Sequence, residues 1–314
     1  MNMSTIVRKI NRIFLKGRQS ILRQFLGKYP SGHYYSPIPS LMEIKKRRLD
    51  IFFKNISIKG IDLKPDEQLN KLRMMSQIVD DIPFYAEGKK IRFNIENDSF
   101  SYDDAPILHY MIRLLKPTRI IEIGSGNSSA CMLDTNTLNM HNSIKFTFID
   151  LDCKTLRKYL LKGDYNNVTV LEKPIQEIDL GIFSDLKEND ILFIDSSHVI
   201  KTGSDLSTIF FNILPVLNKG VYIHFHDIRY PFEYPEDMLV GGVYWNEAYL
   251  LRAFLQFNES FQVVFWLNYI LNSPLIDSGK YLDMLPLDSW SRRFNNNDKN
   301  FTGAGGSIYI KKIK

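Results

Sequence analysis

The sequence predicts an α/β fold: a doubly wound, mostly parallel sheet with a helical N-terminal extension in front of it. Three observations predict this. From residue 116 onward, short and almost wholly apolar runs alternate with stretches of helical period, the pattern of a parallel sheet covered on both faces. Several of those runs carry or end in an acid, at Glu122, Asp150, Asp195 and Asp227. The earlier part of the chain shows helical patterns and differs in charge. Residues 1–60 hold 13 Lys/Arg against Glu43 and Asp50, a net of +11, whereas the rest hold 27 against 33, a net of −6.

Ile6, Ile10, Ile13, Phe14 and Ile21 fall on one helix face, with Arg8, Lys9, Arg12, Lys16, Arg18 and Arg23 between them. Such a helix either packs on the body as a solvated basic element or rests on anionic lipid. Residues 1–28 are therefore a candidate peripheral membrane contact. Gly27 and Pro30 end this segment, and residues 32–40 read as a proline-bracketed extended stretch. Residues 41–54 and 66–80 read as short helices, and Pro106 suits the first turn of a helix running to Leu115. Apolar runs then mark strands at 119–123, 144–149, 168–171, 190–194, 221–225, 261–267 and 307–313. Helical segments at 128–139, 153–162, 204–217 and 246–257 lie between them. The expected architecture is a seven-stranded, Rossmann-like sheet over residues 100–314, with a basic extension over residues 1–99.

Composition narrows the class further. Hydrophobic content of 44% and charged content of 24% exclude a disordered or low-complexity chain. Cys131 and Cys153 show no zinc spacing and cannot staple 314 residues, which favours a reducing, cytoplasmic compartment, with the membrane surface as a variant. The longest apolar run near the N-terminus is Ile13-Phe14-Leu15, too short for a secretory signal core of roughly 7–15 residues. Nucleic acid is disfavoured, because the body is acidic and its aromatics are not interleaved with Lys/Arg.

Ligands of such sheets bind outside the carboxyl ends of the strands. There the sequence places Glu122-Ile-Gly124-Ser125-Gly126, then Asp150, Asp195, and His226-Asp227. The glycine turn lacks the third glycine of the dinucleotide fingerprint, since position 129 is Ser. Glu-x-Gly-x-Gly suits a ligand with an ammonium group, which Glu122 could attract directly or through water. Asp150 stands about 26 residues after Gly124, near the ~20-residue spacing at which an acid meets a ribose diol. The competing reading of Asp150 as a helix cap is weakened by Asp152, which is placed to cap instead.

These residues resemble the class I S-adenosylmethionine-dependent methyltransferases. Longer runs are similar to a bacterial branch related to macrolide and sugar O-methyltransferases: residues 190–198, 201–205, 224–228 and 231–235, Trp245-Asn-Glu247, Gly32 to Pro37 and Phe100-Ser-Tyr102. Asp150-Leu-Asp152 departs from the Glu-Pro-Tyr expected there. The resemblance implies that Glu122, Gly124, Ser125 and Gly126 hold the amino acid part of S-adenosylmethionine, and that Asp150 takes its ribose. It also implies that Tyr102, with Ser101, closes over the cofactor and that Gln176 or Glu177 lies near the adenine.

On the acceptor side, the resemblance implies that Asp195 and Asp227 converge, as acids at these strand ends do in metal-assisted methyltransferases. The candidate metal set is Asp195, Asp227 and His226, for Mg2+ or another divalent cation. The candidate catalytic pair is His198, as general base, with Asp195. A metal-free site in which one histidine acts alone stays open, as do a structural role for His198 and a core role for one of His224 and His226. Residues 231–235 and 272–305 are candidate substrate loops, with Phe232, Tyr234, Trp245 and Trp290 as pocket aromatics or as core.

The expected function is O-methylation of a hydroxyl on a sugar, glycan or small natural product. The alternatives are a nicotinamide-dependent oxidoreductase on a similar sheet and a non-catalytic membrane-docking protein. The acceptor, the oligomeric state and the need for a metal are left open by the sequence.

Overall fold

The structure is a computed structural model that describes residues 28–52, 58–77, 91–94, 97, 99–100, 104–274, 276 and 305–314. The basic helix expected over residues 1–28 lies outside these but for its last residue. Tyr102, Ser101, Trp290 and most of the loop 272–305 lie wholly outside them.

In chain order the elements are α1 (Leu41–Lys46), α2 (Arg48–Phe52), α3 (Pro65–Ser76), α4 (Asp104–Leu115), β1 (Arg119–Ile123), α5 (Asn127–Asn139), β2 (Lys145–Asp150), α6 (Lys154–Tyr159), β3 (Val168–Glu172), α7 (Gly181–Ser184), β4 (Ile191–Ile194), α8 (Asp205–Thr208), α9 (Leu214–Val216), β5 (Tyr222–Phe225), α10 (Glu236–Val240), α11 (Glu247–Leu255), β6 (Phe261–Trp266), α12 (Leu267–Asn272) and β7 (Ile308–Lys312). A π-helical turn, Ile209–Ile213, joins α8 to α9. Among the described residues no helix is long and apolar enough to cross a membrane.

The seven strands form one sheet in the order β3-β2-β1-β4-β5-β7-β6. β1 to β5 are mutually parallel, and β7 runs antiparallel between β5 and β6. β4 and β5 are buried at every position, as strands covered on both faces must be. Their apolar content explains why they take the centre.

The chain divides into two compact units, Met1–Asn55 with Pro235–Tyr244, and Ile56–Tyr234 with Trp245–Lys314. This differs from the boundary at residue 99 read from the sequence. The reason is α3, which belongs with the sheet: Gln68 is wholly buried and its Oε1 accepts the Trp266 N–H of β6 at 2.7 Å. In the smaller unit, Ser40 caps α1 by accepting from the Glu43 N–H, and Arg48 pairs with Glu236 of α10.

Asp190 ties the starts of β1 and β4 together. Its Oδ1 accepts from the Thr118 N–H (2.9 Å), the Thr118 hydroxyl (3.0 Å) and the Arg119 N–H (2.8 Å), and its Oδ2 from the Lys187 N–H (2.9 Å). Asp190 is 1% exposed, and removing its carboxylate leaves four part-buried donors without this acceptor. Asp190→Ala is expected to cost about 2–4 kcal/mol, read as a lower urea midpoint at unchanged slope, while Asp190→Asn loses less.

Candidate active site

The sheet ladder continues past the strand ends. Gly124 N donates to Ile149 O (2.9 Å), Asp195 N to Ile123 O (2.9 Å) and His226 N to Ile194 O (3.0 Å). The glycine turn, Asp150, Asp195 and His226 therefore stand along one carboxyl edge, beside the point where the strand order reverses between β1 and β4. Gly124 has φ +84°, and a Cβ built on it would sit 1.7 Å from the Asp195 carbonyl oxygen. Only glycine lets the β1 turn and the end of β4 approach this closely. Gly126 is different: it is extended, and a Cβ there would meet nothing within 4 Å.

Residues 124–128 line a cavity closed by Ser99 and Phe100 on one side and by Asp150 and Asp195 on the other. Gly124 and Gly126 both line it, so a ligand there can lie against backbone. The Asp150 carboxylate is fixed by the Ser125 N–H (2.7 Å) and hydroxyl (3.1 Å) on Oδ2 and by the Asp152 N–H (3.1 Å) on Oδ1. It keeps acceptor capacity toward the cavity, as a ribose diol requires. Asp152 does not cap α6 as expected: the N-cap is Cys153, and Asp152 accepts from the Lys154 N–H in a local turn at 3.0 Å.

Glu122 lies beneath the turn. It is fully buried, and its two oxygens accept the hydroxyls of Ser128 (on Oε1) and Ser129 (on Oε2, 2.5 Å). The first turn of α5 thus stands between this carboxylate and the cavity, and Ser128 rather than Glu122 lines the wall. Burial raises the Glu122 pKa to about 8 against the opposing pull of the two hydroxyls.

Next to the cavity, Asp195, His198 and Asp227 offer ligand atoms that all lie within 4.8 Å of one another. His198 Nε2 is 3.2 Å from Asp195 Oδ1 and 3.8 Å from Asp227 Oδ2, and its Nδ1 is 2.7 Å from Glu247 Oε2. Burial disfavours the His198 imidazolium, but the Asp195 and Glu247 hydrogen bonds outweigh it and lift the pKa to about 10. Burial likewise opposes ionisation of Asp195, yet His226 and His198 hold its carboxyl below the ordinary value. His226 is 3% exposed, and its Nδ1 has no hydrogen-bond partner among the described residues. Burial is outweighed there too, by the charges of Asp195, Asp227 and Asp104, and its pKa rises to about 9.

The backbone is bent to make this cluster. His198 and Asp227 both adopt positive φ, 58° and 57°. The loop bearing His198 is tied down by Asp205, which accepts from the Ser197 N–H (2.8 Å) and hydroxyl (2.6 Å). Asp205 itself opens α8. Gly306 packs against Asp227, where a Cβ would lie 2.6 Å from its Cα.

The remaining expectations resolve unevenly. His224 is a core residue, between Phe193 (centroids 3.9 Å apart) and Tyr309 (4.7 Å), and burial holds it neutral with a lowered pKa. Phe232 and Tyr234 are also core, 1% and 2% exposed, with Phe232 packed on Trp266. Trp245 instead covers His198, with ring centroids 4.1 Å apart. Gln176 is turned to the Gly203 carbonyl (2.8 Å), and neither it nor Glu177 lines the cavity. Sequence reasoning gave no role to Glu247 or Phe100. The signal for Glu247 was a lone acid opening an apolar helical run directly after Trp245-Asn246.

Residues 121–228 match the family model described as a methyltransferase domain. An uncharacterized protein of Archaeoglobus fulgidus is 34% identical over 193 residues, which span 60% of this chain and 86% of that protein. Two solved structures are similar at lower identity. The apo structure of CmcI-N160 is 17% identical, covering 68% of this chain and 72% of that one, with a TM-score of 0.40. The O-methyltransferase TomG from Streptomyces achromogenes is 13% identical, covering 87% and 96%, with a TM-score of 0.36. The domain match joins the sheet order and the glycine turn: the chain belongs to the class I S-adenosylmethionine-dependent methyltransferases, in the family it shares with the archaeal protein. It is thus an enzyme, a methyltransferase.

The two glycines are expected to fail differently. Gly124→Ala should cost about 2–4 kcal/mol of stability. Gly126→Val should keep the wild-type melting temperature and lose about tenfold or more in S-adenosylhomocysteine affinity by calorimetry, roughly 1.4 kcal/mol. Glu122 carries a pH signature. Its folded pKa of about 8 exceeds the ordinary 4.5, so its contribution is full below 4.5 and is lost as pH rises through 8. Urea midpoints across that range should flatten in Glu122→Gln; an unchanged slope would contradict the assignment.

Proposed function

We propose that the chain transfers a methyl group from S-adenosylmethionine to a hydroxyl of a sugar, glycan or small natural product, at a site that also takes a divalent cation. One observation carries this reading: Asp195 belongs to both halves of the site. It lines the glycine-turn cavity and is also a member of the Asp195–His198–Asp227 cluster. An acceptor hydroxyl held at the cluster is therefore next to the end of the cofactor cavity.

When bound, the cofactor supplies a methyl group on a positively charged sulfur. The chain's own residues have the other tasks. The glycine turn and Asp150 hold the cofactor against backbone, and Asp195 and Asp227 face the acceptor. Alignment of oxygen with the methyl group supplies most of the acceleration such a reaction needs. A cation held by Asp195, Asp227 and a ring nitrogen would supply positive charge that orients the hydroxyl and lowers its pKa. Two carboxylates and an imidazole are a chemically sensible donor set for a divalent ion. The structure favours His198 over His226 for that nitrogen, because His198 Nε2 is the one that faces both acids. A second, cation-free reading rests on the same hydrogen bonds: the His198 imidazolium, held between Asp195 and Glu247, orients the acceptor oxygen and a facing carboxylate takes its proton.

Methyl transfer from radiolabelled S-adenosylmethionine to a panel of hydroxylated glycans and small molecules tests the proposal. Asp227→Asn is expected to lower kcat by about 100-fold or more and to leave S-adenosylhomocysteine affinity within about threefold. Full turnover by Asp227→Asn, or methylation of amines in place of hydroxyls, would overturn it.

A further inference from the structure

The segment Trp245-Asn246-Glu247 grips His198 from three directions. The N–H groups of Asn246 and Glu247 both donate to the His198 carbonyl, at 3.1 and 3.2 Å. The Asn246 side chain pairs with the backbone of Ile200, accepting its N–H at 2.7 Å and donating to its carbonyl at 3.3 Å. The Trp245 ring lies over the imidazole. Glu247 Oε2 then meets His198 Nδ1 at 2.7 Å.

This grip is costly. His198 is held at φ 58°, which a residue with a Cβ adopts only under constraint. Glu247 is 1% exposed, and its Oε1 has no hydrogen-bond partner among the described residues. A buried carboxylate with one orphan oxygen is expensive unless a positive charge nearby offsets it. Around this one imidazole stand three carboxylates, those of Asp195, Asp227 and Glu247.

We propose that Glu247 is a positioning residue that fixes the Nδ1–H form of His198 and so presents Nε2 as a nitrogen donor beside Asp195 and Asp227, making this a site for a borderline transition-metal ion in preference to Mg2+ or Ca2+. The inference rests on the cation reading given above. Carboxylate oxygens alone suit hard cations, while an imidazole nitrogen shifts preference toward Mn2+, Fe2+, Co2+ or Zn2+. A carboxylate behind a ligating histidine fixes its tautomer and orientation and raises its basicity. Binding exchanges the proton on Nε2 for the metal ion, and that proton leaves to solvent. Glu247 touches neither the metal nor the acceptor; it acts only through the imidazole.

The test uses the full-length chain, stripped with chelator, titrated with Co2+ and separately with Mg2+. Affinity is read by calorimetry and the Co2+ environment by its visible absorption. S-adenosylhomocysteine affinity and melting temperature report that each variant is folded. The wild type is expected to bind Co2+ at least about tenfold more tightly than Mg2+. Glu247→Ala should lose about 10- to 100-fold in Co2+ affinity with an altered absorption band, and lose much less in Mg2+ affinity. Glu247→Gln, which can still accept from Nδ1–H and keeps the shape, should recover most of the loss and guards against a folding defect in the alanine variant. Equal Co2+ affinity and spectrum in wild type and Glu247→Ala would overturn the role of Glu247 while leaving the cation site standing. Equal Co2+ and Mg2+ affinity in the wild type would overturn the metal preference. No binding of either ion by the wild type would overturn both this inference and the cation reading.

Discussion

The end of β4 is pressed against the turn after β1 so closely that the Asp195 carbonyl occupies the space of a Gly124 side chain. This contact follows from the parallel register of β1 and β4, in which Ile123 stands opposite Ile194 and the next residues are Gly124 and Asp195. The approach is possible because the turn carries no Cβ at Gly124. The acceptor cluster exists because the Asp195 that makes the contact turns its side chain toward His198. A single backbone approach therefore sets the distance between the cofactor end and the acceptor end of the site.

Electrostatics then shapes the acceptor end. His226 and His198 keep Asp195 ionised despite burial, while the acids keep both imidazoles charged above neutral pH. His224 lies two residues before His226, yet its pKa is pushed the other way, by burial first and then by the charge of His226. Identical side chains two residues apart serve opposite ends, one in the core and one in the site. Farther from the chemistry, Arg92 bridges Asp134 and Asp164 (3.0 and 2.9 Å), and the Arg92 and Phe93 N–H groups donate to Asp134, which ties residues 92 and 93 to α5.

Much of this was legible in the sequence, for reasons that are local. Runs such as Ile191–Ile194 announce a buried parallel strand, and acids at successive strand ends announce a shared edge. The glycine turn, Asp150, Asp195, His198 and Asp227 could be named because each is adjacent in sequence to a strong pattern. What was not legible depends on long-range packing. The insertion of β7 between β5 and β6 has no local signature. Phe232 and Tyr234 read equally as pocket or core until Trp266, more than thirty residues on, is seen to cover Phe232. Glu247 stands 49 residues from His198, and only the fold reveals that the two are hydrogen-bonded. Glu122 was expected to hold the cofactor, but its burial behind Ser128 and Ser129, away from the cavity wall, was not readable from spacing.

The central claim is that one carboxylate, Asp195, joins the cofactor cavity to a cation-holding acceptor site. Anomalous diffraction from a crystal soaked with S-adenosylhomocysteine and Mn2+ tests it most directly. The account predicts nucleoside density along residues 124–128 and Asp150, together with an anomalous peak roughly 2.0–2.3 Å from Asp195, Asp227 and His198 Nε2. Ordered S-adenosylhomocysteine with no anomalous peak between these three side chains would contradict it.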